Sequence, residues 1–498
     1  MRVRVRNWAV ARVAAALCAT TAATAAVLTV TPSAPSGIAP PAGAASPASG
    51  ALAAVMPRLK DSQASQLRRM LEGAPGHGLP SYAKALTSGA PDDPALIQAV
   101  MDYAHAVHGG RLREGDYLAD WGMRPTGFDP WPSFVAAVKE DRLATWIASL
   151  PPPYTGYDGL RRGLATYRAL ASDGGWKVIP EGPELALGAT GPRVAALRKR
   201  LAAEDSGVDA KGPDKFDAGL VEAVRRAQKR YGLEPVGRVG KGTLAALNVP
   251  ASDRVDSIVA NLERWRWLPA QLPADRIQIN IAAAVLTMFK GDAPATSMKV
   301  VTGRPGDHTP MLSSQIHSIV LNPPWNVPTS IATKELWPKE RANRGYLKRS
   351  GFKVISTGEG RSRLQQAPGP NNSLGRIKFD FDNKYSVYLH DTPSRGAFER
   401  YSRLASHGCV RLERPLDLAK LLLQDDPAWA GDAVDSVIAV GDTKRVRLTK
   451  PLAVYLLYWT AFAGSNGQMN FRDDPYEWDG TLASKIGAGK QVTQVAAR

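Results

Sequence analysis

Cysteine is nearly absent from this sequence. The 498 residues contain two, Cys18 and Cys409, and no C-x-x-C pair. That scarcity excludes a disulfide-stapled scaffold and a cysteine-rich zinc fold, which need several cysteines at fixed spacings. The sequence also lacks a dense lysine and arginine block interleaved with aromatic residues, although its formal net charge is +17. We therefore predict no nucleic-acid partner and expect an anionic lipid or an acidic wall polymer instead.

Charged residues are missing from a second stretch, close to the N-terminus. Arg2, Arg4, Arg6 and Arg12 precede it, and no charged residue occurs from position 13 to position 56. This order predicts an export signal or an uncleaved signal anchor over residues 1–30, followed by a Pro/Ala/Ser-rich linker over residues 31–57. A disordered alanine-rich tail is the alternative. If the leader is removed, Cys409 is the one cysteine left, and a lone thiol in an exported protein must be buried or used.

The rest of the chain is too long for a single core and divides by its patterns. Residues 58–181 read as helical, and Ser133 is predicted to cap a helix over 134–150. Residues 182–250 form a three-helix unit. Period-two alternation predicts a β-rich domain over 253–480, interrupted by a polar insertion over 333–370 with little periodicity. Such an insertion is typical of a lid over a site. Residues 481–498 form a tail.

The candidate catalytic residues are near Cys409 in the sequence. A thiol nucleophile needs a base, backbone donors for the oxyanion and a group that holds substrate. Two histidines compete as the base, His407 and His390. Alternation over residues 384–390 predicts a strand with Lys384, Ser386, Tyr388 and His390 on one face. A histidine at that strand end is well placed to take the thiol proton during attack, or to hold a thiolate–imidazolium pair.

Other interpretations of these residues stay open from the sequence. Cys409 by itself is compatible with a small buried hydrophobe. His390, Asp391, His407 and Cys409 include ligand types that suit zinc. Arg411 is compatible with a structural salt bridge, and His105 and His108 read as surface histidines.

Two motif sets resemble known families. His390-Asp391-Thr392 followed by Ser406-His407-Gly408-Cys409-Val410-Arg411 resembles the YkuD-type L,D-transpeptidase catalytic domain. The glycine, leucine and A-V-x-x-A-Q spacing over 182–250 resembles the bacterial peptidoglycan-binding module. Together they resemble the large multidomain L,D-transpeptidases of Gram-negative bacteria. The resemblance implies an α+β multidomain fold: a helical N-terminal scaffold domain, a three-helix binding module and a β-rich catalytic domain with an inserted lid.

The resemblance also implies roles. Cys409 is the nucleophile, His390 the base and the Asp391 carbonyl its orienting group, while His407, Gly408 and Cys409 line the oxyanion hole and Arg411 steadies the site. Contacts to substrate are implied for Tyr388, Ser406, Trp325 and Asn372. The implied partner is peptidoglycan, in the periplasm or at the inner membrane, with no metal or other cofactor. The implied reaction is a 3→3 cross-link; an L,D-carboxypeptidase with the same site, or a wall-binding scaffold without activity, is the alternative.

Overall fold

A computed structural model describes residues 56–87, 94–358 and 361–487. The predicted export signal lies outside these ranges, as do all but the last two residues of the predicted linker and the end of the tail. Within the described ranges no helix combines the length and the apolar character needed to cross a membrane.

Nine helices make up the described N-terminal half of the chain. They run over Asp61–Glu72 (α1), Pro94–Gly109 (α2), Pro130–Lys139 (α3), Leu143–Ser149 (α4), Thr155–Ser172 (α5), Pro192–Ala202 (α6), Ala218–Arg230 (α7), Lys241–Asn248 (α8) and Ala251–Trp265 (α9). α1 to α4 enclose a separate apolar core that includes Leu67, Val100 and Phe134.

One predicted helix in this half is wrong. The helix predicted over 134–150 is two helices, α3 and α4, and α3 begins at Pro130 with Asp129 as its N-cap. The Asp129 carboxylate accepts a hydrogen bond from the Trp131 amide at 3.0 Å. Ser133 lies inside α3, where its hydroxyl accepts a hydrogen bond from the Trp146 indole at 3.0 Å. Asp141 divides the two helices with a φ of 55°.

A buried carboxylate organises the three-helix unit of α6, α7 and α8. Glu204 accepts hydrogen bonds from Arg200 at 2.6 Å and from the hydroxyls of Tyr167 and Tyr231. Tyr167 belongs to α5, so this network joins the unit to the helical region before it. Burial raises the pKa of the Tyr167 hydroxyl well above its usual value, with the Glu204 charge as the second cause.

A mixed nine-stranded sheet forms the centre of the second half. The described residues of this half contain fourteen strands, nine of which belong to the large sheet. In chain order they are Arg276–Asn280 (β1), Val285–Lys290 (β2), Ala293–Gly303 (β3), Leu312–Leu321 (β4), Trp325–Asn326 (β5), Phe352–Gly358 (β6), Arg361–Gln366 (β7), Ile377–Phe381 (β8), Leu389–His390 (β9), Leu404–Ser406 (β10), Val410–Leu412 (β11), Lys444–Leu457 (β12), Ala461–Ala463 (β13) and Met469–Phe471 (β14). The large sheet has the order β10-β3-β11-β9-β8-β4-β12-β1-β2. Helices Pro415–Leu423 (α10), Ala433–Val440 (α11) and Trp478–Lys485 (α12) complete this half.

The polar segment predicted to lack periodicity is folded. β5, β6 and β7 form a separate three-stranded sheet, and short helices over Thr329–Ile331, Ala332–Leu336, Trp337–Ala342 and Tyr346–Arg349 lie between β5 and β6. Six buried residues form its own small core: Val327, Ala332, Leu336, Leu347, Phe352 and Leu364. We call residues 325–366 the cap. The cap begins at Trp325, eight residues before the predicted insertion.

The strand predicted over 384–390 is also wrong for most of its length. β9 contains only Leu389 and His390, and Ser386 has a φ of 56°. The Asn383 side chain accepts hydrogen bonds from the amides of Tyr385 and Val387 and donates to the Val387 carbonyl. These local bonds hold residues 383–387 in a turn, so the alternating pattern does not produce a ladder there.

Candidate active site

Two short parallel strands at the middle of the large sheet carry the predicted catalytic residues. β9 pairs with β11 in a register that places Leu389 beside Val410 and His390 beside Arg411. Leu389, Val410 and Leu412 are fully buried in the core. Because side chains alternate along a strand, His390 and Arg411 point to the opposite face, together with Tyr388 and Cys409 two residues earlier in the sequence. All four line the same cavity.

The hydrogen bonding of His390 fixes which nitrogen is available. Its Nδ1 lies 2.5 Å from the Asp391 carbonyl oxygen, which can only accept, so Nδ1 carries the proton. Nε2 is then unprotonated and can act as a base. Burial lowers the pKa of His390 to about 3, and the charge of Arg411 is the second cause. The imidazole is therefore neutral at neutral pH.

Asp391 is held from its side chain. One carboxylate oxygen accepts a hydrogen bond from the Arg376 amide at 2.8 Å, and the other accepts one from Arg395 at 3.3 Å. Gly375, with a φ of 62°, leaves room for this carboxylate, because a Cβ there would lie 2.3 Å from the Asp391 Cγ. The carbonyl that orients His390 is thus set by a rigid turn.

Cys409 is a free thiol, half-buried at the start of β11. Burial raises the pKa of the Cys409 thiol, and hydrogen bonds from the backbone and side chain of Tyr388 oppose that rise only in part. The Tyr388 ring lies edge-on to His390 at 5.6 Å between centroids, and the Lys378 ammonium sits 4.2 Å from its centre. Tyr388 therefore contacts both predicted catalytic side chains.

The loop before Cys409 is tightly bonded. The Ser406 hydroxyl donates to the Cys409 carbonyl at 2.6 Å and accepts from the Gly408 amide at 3.2 Å. The Thr309 hydroxyl donates to the Gly408 carbonyl at 2.7 Å. Gly408 has a φ of 106°, and a Cβ there would lie 3.0 Å from the His308 carbonyl oxygen. Only glycine fits this position without strain.

His407 points away from the base position and toward the cap. Its Nε2 lies 2.6 Å from a Glu335 carboxylate oxygen, and Glu335 is also 3.9 Å from Arg304. His390, and not His407, shares a face with Cys409. Arg411 forms no ion pair with any residue in the described ranges.

The site opens into a cavity of about 710 Å³. The strand residues above form one wall and the cap forms the other, and Trp325 of the cap lines the cavity together with Tyr388. Trp325, Tyr388 and Ser406 line the cavity, as the sequence analysis expects of substrate contacts. Asn372 does not line it. Its side-chain nitrogen donates a hydrogen bond to the Ala367 carbonyl at 2.9 Å, and its side-chain oxygen accepts one from the Leu374 backbone amide at 2.8 Å, both within its own loop.

Sequence reasoning missed a support behind the site. Residues 119–122, from the chain before α3, run beside Met311: the Gly122 amide donates to the Met311 carbonyl at 2.8 Å. The His308 Nδ1 lies 2.9 Å from an Asp120 carboxylate oxygen, and the Tyr385 hydroxyl donates to the Ala119 carbonyl at 2.7 Å. His308 and Tyr385 flank the nucleophile loop and the cavity. These partners are far apart in sequence, so no local signal could have revealed them.

In the part of the chain that the structure describes, no three histidine, cysteine or acidic side chains are grouped so that they could hold a metal ion. The structure therefore shows no ligand set for the zinc alternative. Hydrogen bonding instead engages His390 and His407 with oxygen partners in different directions.

Models of three protein families match separate parts of the chain. Residues 274–444 match YkuD, described as "L,D-transpeptidase catalytic domain". Residues 57–164 match "Scaffold domain", and residues 190–247 match "Putative peptidoglycan binding domain". The resemblance stated from the motifs, and the α+β multidomain fold class, are thereby confirmed.

One curated relative and two solved structures are similar to parts of the chain. A Haemophilus influenzae protein named "Putative L,D-transpeptidase" is 29% identical over 245 residues, which cover 46% of this chain and 49% of that protein. The chain thus matches about half the length of this curated relative. The solved L,D-transpeptidases of Xylanimonas cellulosilytica and Stackebrandtia nassauensis are 17% and 15% identical, cover 56% of this chain each and 99% and 96% of their own, and have TM-scores of 0.17 and 0.22. Scores this low support no argument about the site.

Proposed function

The chain carries an L,D-transpeptidase catalytic domain, and from that premise we propose that it forms 3→3 cross-links in peptidoglycan by acyl transfer through Cys409. The observation that carries the proposal is the strand pair β9–β11. It sets the unprotonated nitrogen of His390 and the thiol of Cys409 on one face, inside a cavity large enough for a peptide.

In the first step the Cys409 sulfur attacks the carbonyl of the third residue of a tetrapeptide stem. His390 Nε2 takes the thiol proton as the C–S bond forms. Collapse of the tetrahedral intermediate breaks the peptide bond, and the imidazolium gives that proton to the departing D-Ala amine. A thioester to Cys409 remains.

In the second step the side-chain amine of another stem attacks the thioester. His390 removes a proton from this amine, the new amide bond forms, and the sulfur leaves and regains a proton. If water is the acceptor, the product is a shortened stem and the enzyme is an L,D-carboxypeptidase. The same residues serve both outcomes.

Backbone donors at the nucleophile loop stabilise the oxyanion. The Gly408 amide is already bonded to Ser406, so the Cys409 amide is the nearest donor left for it. One such donor is typically worth about 2.7–4 kcal/mol. Arg411, half-buried in the same cavity as Cys409 and without an ion pair in the described ranges, supplies positive charge to the same region.

The resting pair is neutral. Burial raises the pKa of the Cys409 thiol and lowers the pKa of His390 to about 3. Both shifts disfavour a preformed thiolate–imidazolium pair, because each charged form loses solvation in the site. His390 therefore acts as a general base at the moment of attack.

Residues 190–247 hold the enzyme on its polymer substrate, and the reaction takes place outside the cytoplasm, where that polymer lies. Membrane anchoring by the N-terminal segment remains an expectation about residues outside the described ranges. The basic charge of the chain favours retention on an acidic wall.

The test is to incubate the full chain and its Cys409→Ala variant with a disaccharide-tetrapeptide and to analyse the products by mass spectrometry. A cross-linked dimer that has lost one D-Ala supports the transpeptidase. Tripeptide without dimer makes the enzyme a carboxypeptidase. The same products from the variant would overturn cysteine catalysis, and no product from either protein, with wall binding retained, would leave a wall-binding scaffold.

A further inference from the structure

The cap contributes a wall of basic side chains to the cavity. Lys334, Lys339 and Arg349 line it from the cap, and Arg411 lines it from the catalytic strands. The cap has other cations on its surface, among them Arg344 and Lys348, which do not line the cavity. We call Lys334, Lys339 and Arg349 the basic wall, to distinguish them from the cap cations outside the cavity.

Both carboxylates that line the same cavity are already paired. Glu335 lies 2.6 Å from His407, and Asp307 lies 2.6 Å from Arg304. In the described ranges, by contrast, no carboxylate lies within 4.0 Å of the charged nitrogens of Lys334, Lys339, Arg349 or Arg411. Arg349 bonds only to neutral oxygens, those of Arg344 at 3.0 Å and Asn343 at 2.6 Å. The cavity thus holds positive charge without an internal counterion.

Lys334, Lys339 and Arg349 are solvent-exposed, so water and salt screen their charges, but a cavity lined by one sign of charge still attracts ions of the opposite sign. Uncompensated cations there repel one another, and an anionic ligand removes that repulsion as it binds. A neutral ligand does not. The charge pattern therefore selects among substrates that are equal in shape.

Resting on the proposed function, we infer that the stem peptide lying against the cap carries a free carboxylate outside the reacting bond, and that Lys334, Lys339 and Arg349 select it over the corresponding amide. The catalytic strands determine which bond is broken. The basic wall determines which chemical form of the stem is accepted.

The experiment compares two synthetic stem tetrapeptides, one with its non-reacting carboxylates free and one with them converted to primary amides. The full chain is assayed beside K334Q/K339Q, which leaves the Arg349 contacts in place, and beside R349Q. The matched control is R344Q/K348Q, which removes two cap charges outside the cavity. Formation of the Cys409 thioester is followed by intact mass spectrometry.

We expect the unaltered protein to prefer the free-acid peptide by about tenfold in kcat/KM at low salt, and the preference to shrink at about 0.5 M NaCl. K334Q/K339Q should reduce the preference to about twofold through a higher KM for the free acid, with little change for the amide. R344Q/K348Q should retain it. No preference in the unaltered protein, or an unchanged preference in K334Q/K339Q, overturns the inference.

A binding measurement separates this inference from the proposed function. Calorimetry with Cys409→Ala reports whether the free-acid peptide binds more tightly than the amide, whether or not acyl transfer occurs. Tighter free-acid binding that depends on Lys334 and Lys339 supports the basic wall even if no thioester forms. Equal binding of the two peptides refutes it even if the thioester forms normally.

Discussion

The two walls of the cavity are held in different ways. The wall that carries His390 and Cys409 belongs to a nine-stranded sheet, and Leu389, Val410 and Leu412 on the other face of these strands are buried. Residues 119–122 also bond to this part of the molecule. The cap wall has its own sheet and its own six-residue core. It meets the first wall through contacts such as the one between Glu335 and His407, in which both side chains are partly exposed.

This difference separates chemistry from recognition. Proton transfer needs groups held within a few tenths of an ångström, which a buried strand pair provides. Substrate recognition tolerates movement, and a separately folded cap can open without disturbing the catalytic strands. Each of the following changes tests one wall while the other serves as reference.

Removing the base should have the largest effect. His390→Gln should lower kcat for cross-link formation by about a thousandfold, because no other histidine shares a face with Cys409. Thermal unfolding should change little. His317→Gln is the matched control, since His317 lies in the same domain, 3.4 Å from Asp382 at the surface. Retained activity in His390→Gln would show that His390 is not the base.

The second-largest effect is expected from a change in the backbone of the wall that carries His390 and Cys409. Gly408→Ala should lower the rate of Cys409 acylation by about ten- to a hundredfold, because the new Cβ presses on the His308 carbonyl and displaces the loop. Gly441→Ala is the control: its φ of 88° imposes a similar conformational strain, but nothing lies within 4 Å of its Cβ. Both variants should lose about 1 kcal/mol of unfolding free energy. Equal activities in the two variants would argue that the position of this loop is unimportant.

The contact between the walls should have a smaller effect. Glu335→Gln removes the charge that pairs with His407, and we expect a change of about two- to fivefold in KM with kcat almost constant. Hydrogen exchange should become faster in the cap and stay unchanged in β9 and β11. Glu399→Gln, at an exposed position without an ion pair in the described ranges, is the control. Faster exchange in the catalytic strands would show that the two walls move together.

The smallest effect on activity is expected at His77, which is buried against Tyr103 and Tyr157 in the helical region and does not line the cavity. Its Nδ1 lies 3.0 Å from the Tyr157 hydroxyl, and burial lowers its pKa to about 3. In the unfolded chain His77 binds a proton near pH 6.5, whereas in the folded chain it stays neutral down to about pH 3. The contribution of His77 to the free energy of unfolding is therefore fully present above pH 6.5 and is lost as the pH falls toward 3.

Between pH 6.5 and pH 5 this loss amounts to about 2 kcal/mol of unfolding free energy. His77→Gln should flatten the acid side of the stability profile, measured by urea unfolding, and leave activity at pH 7 unchanged. An unaltered slope would mean that His77 is charged in the folded protein.

Local signals carried much of the fold. The patterns predicted a helical stretch over 58–181 and a three-helix unit over 182–250, and the structure has helices α1 to α5 and α6 to α8 there. Period-two alternation predicted the β-rich part that contains the large sheet. The same alternation failed over 384–388, because the Asn383 side chain captured the backbone into a turn. Tertiary contacts also divided the helix predicted over 134–150.

The part of the candidate site that lies in two short sequence motifs, residues 390–392 and 406–411, could be located from the sequence. The histidine and cysteine motifs drew attention to His390 and Cys409, and both residues lie within the range that matches the catalytic-domain model. Their catalytic roles stay predictions. The cap was not predictable as a folded unit, since its core joins residues such as Val327 and Leu364 that have no common local pattern. The Asp120–His308 contact, between residues 188 apart, lay beyond any local reasoning as well.

The neutrality of the Cys409 thiol has a consequence for how long the protein survives. Peroxides and disulfides react with thiolates and hardly at all with thiols, so burial that raises the pKa of Cys409 also slows its oxidation. In an oxidising compartment a permanently ionised nucleophile would be converted to sulfenic acid or to mixed disulfides between turnovers. Under the proposed mechanism the sulfur becomes reactive only when His390 takes its proton against a bound carbonyl. The same burial that delays activation would then also protect the thiol between turnovers.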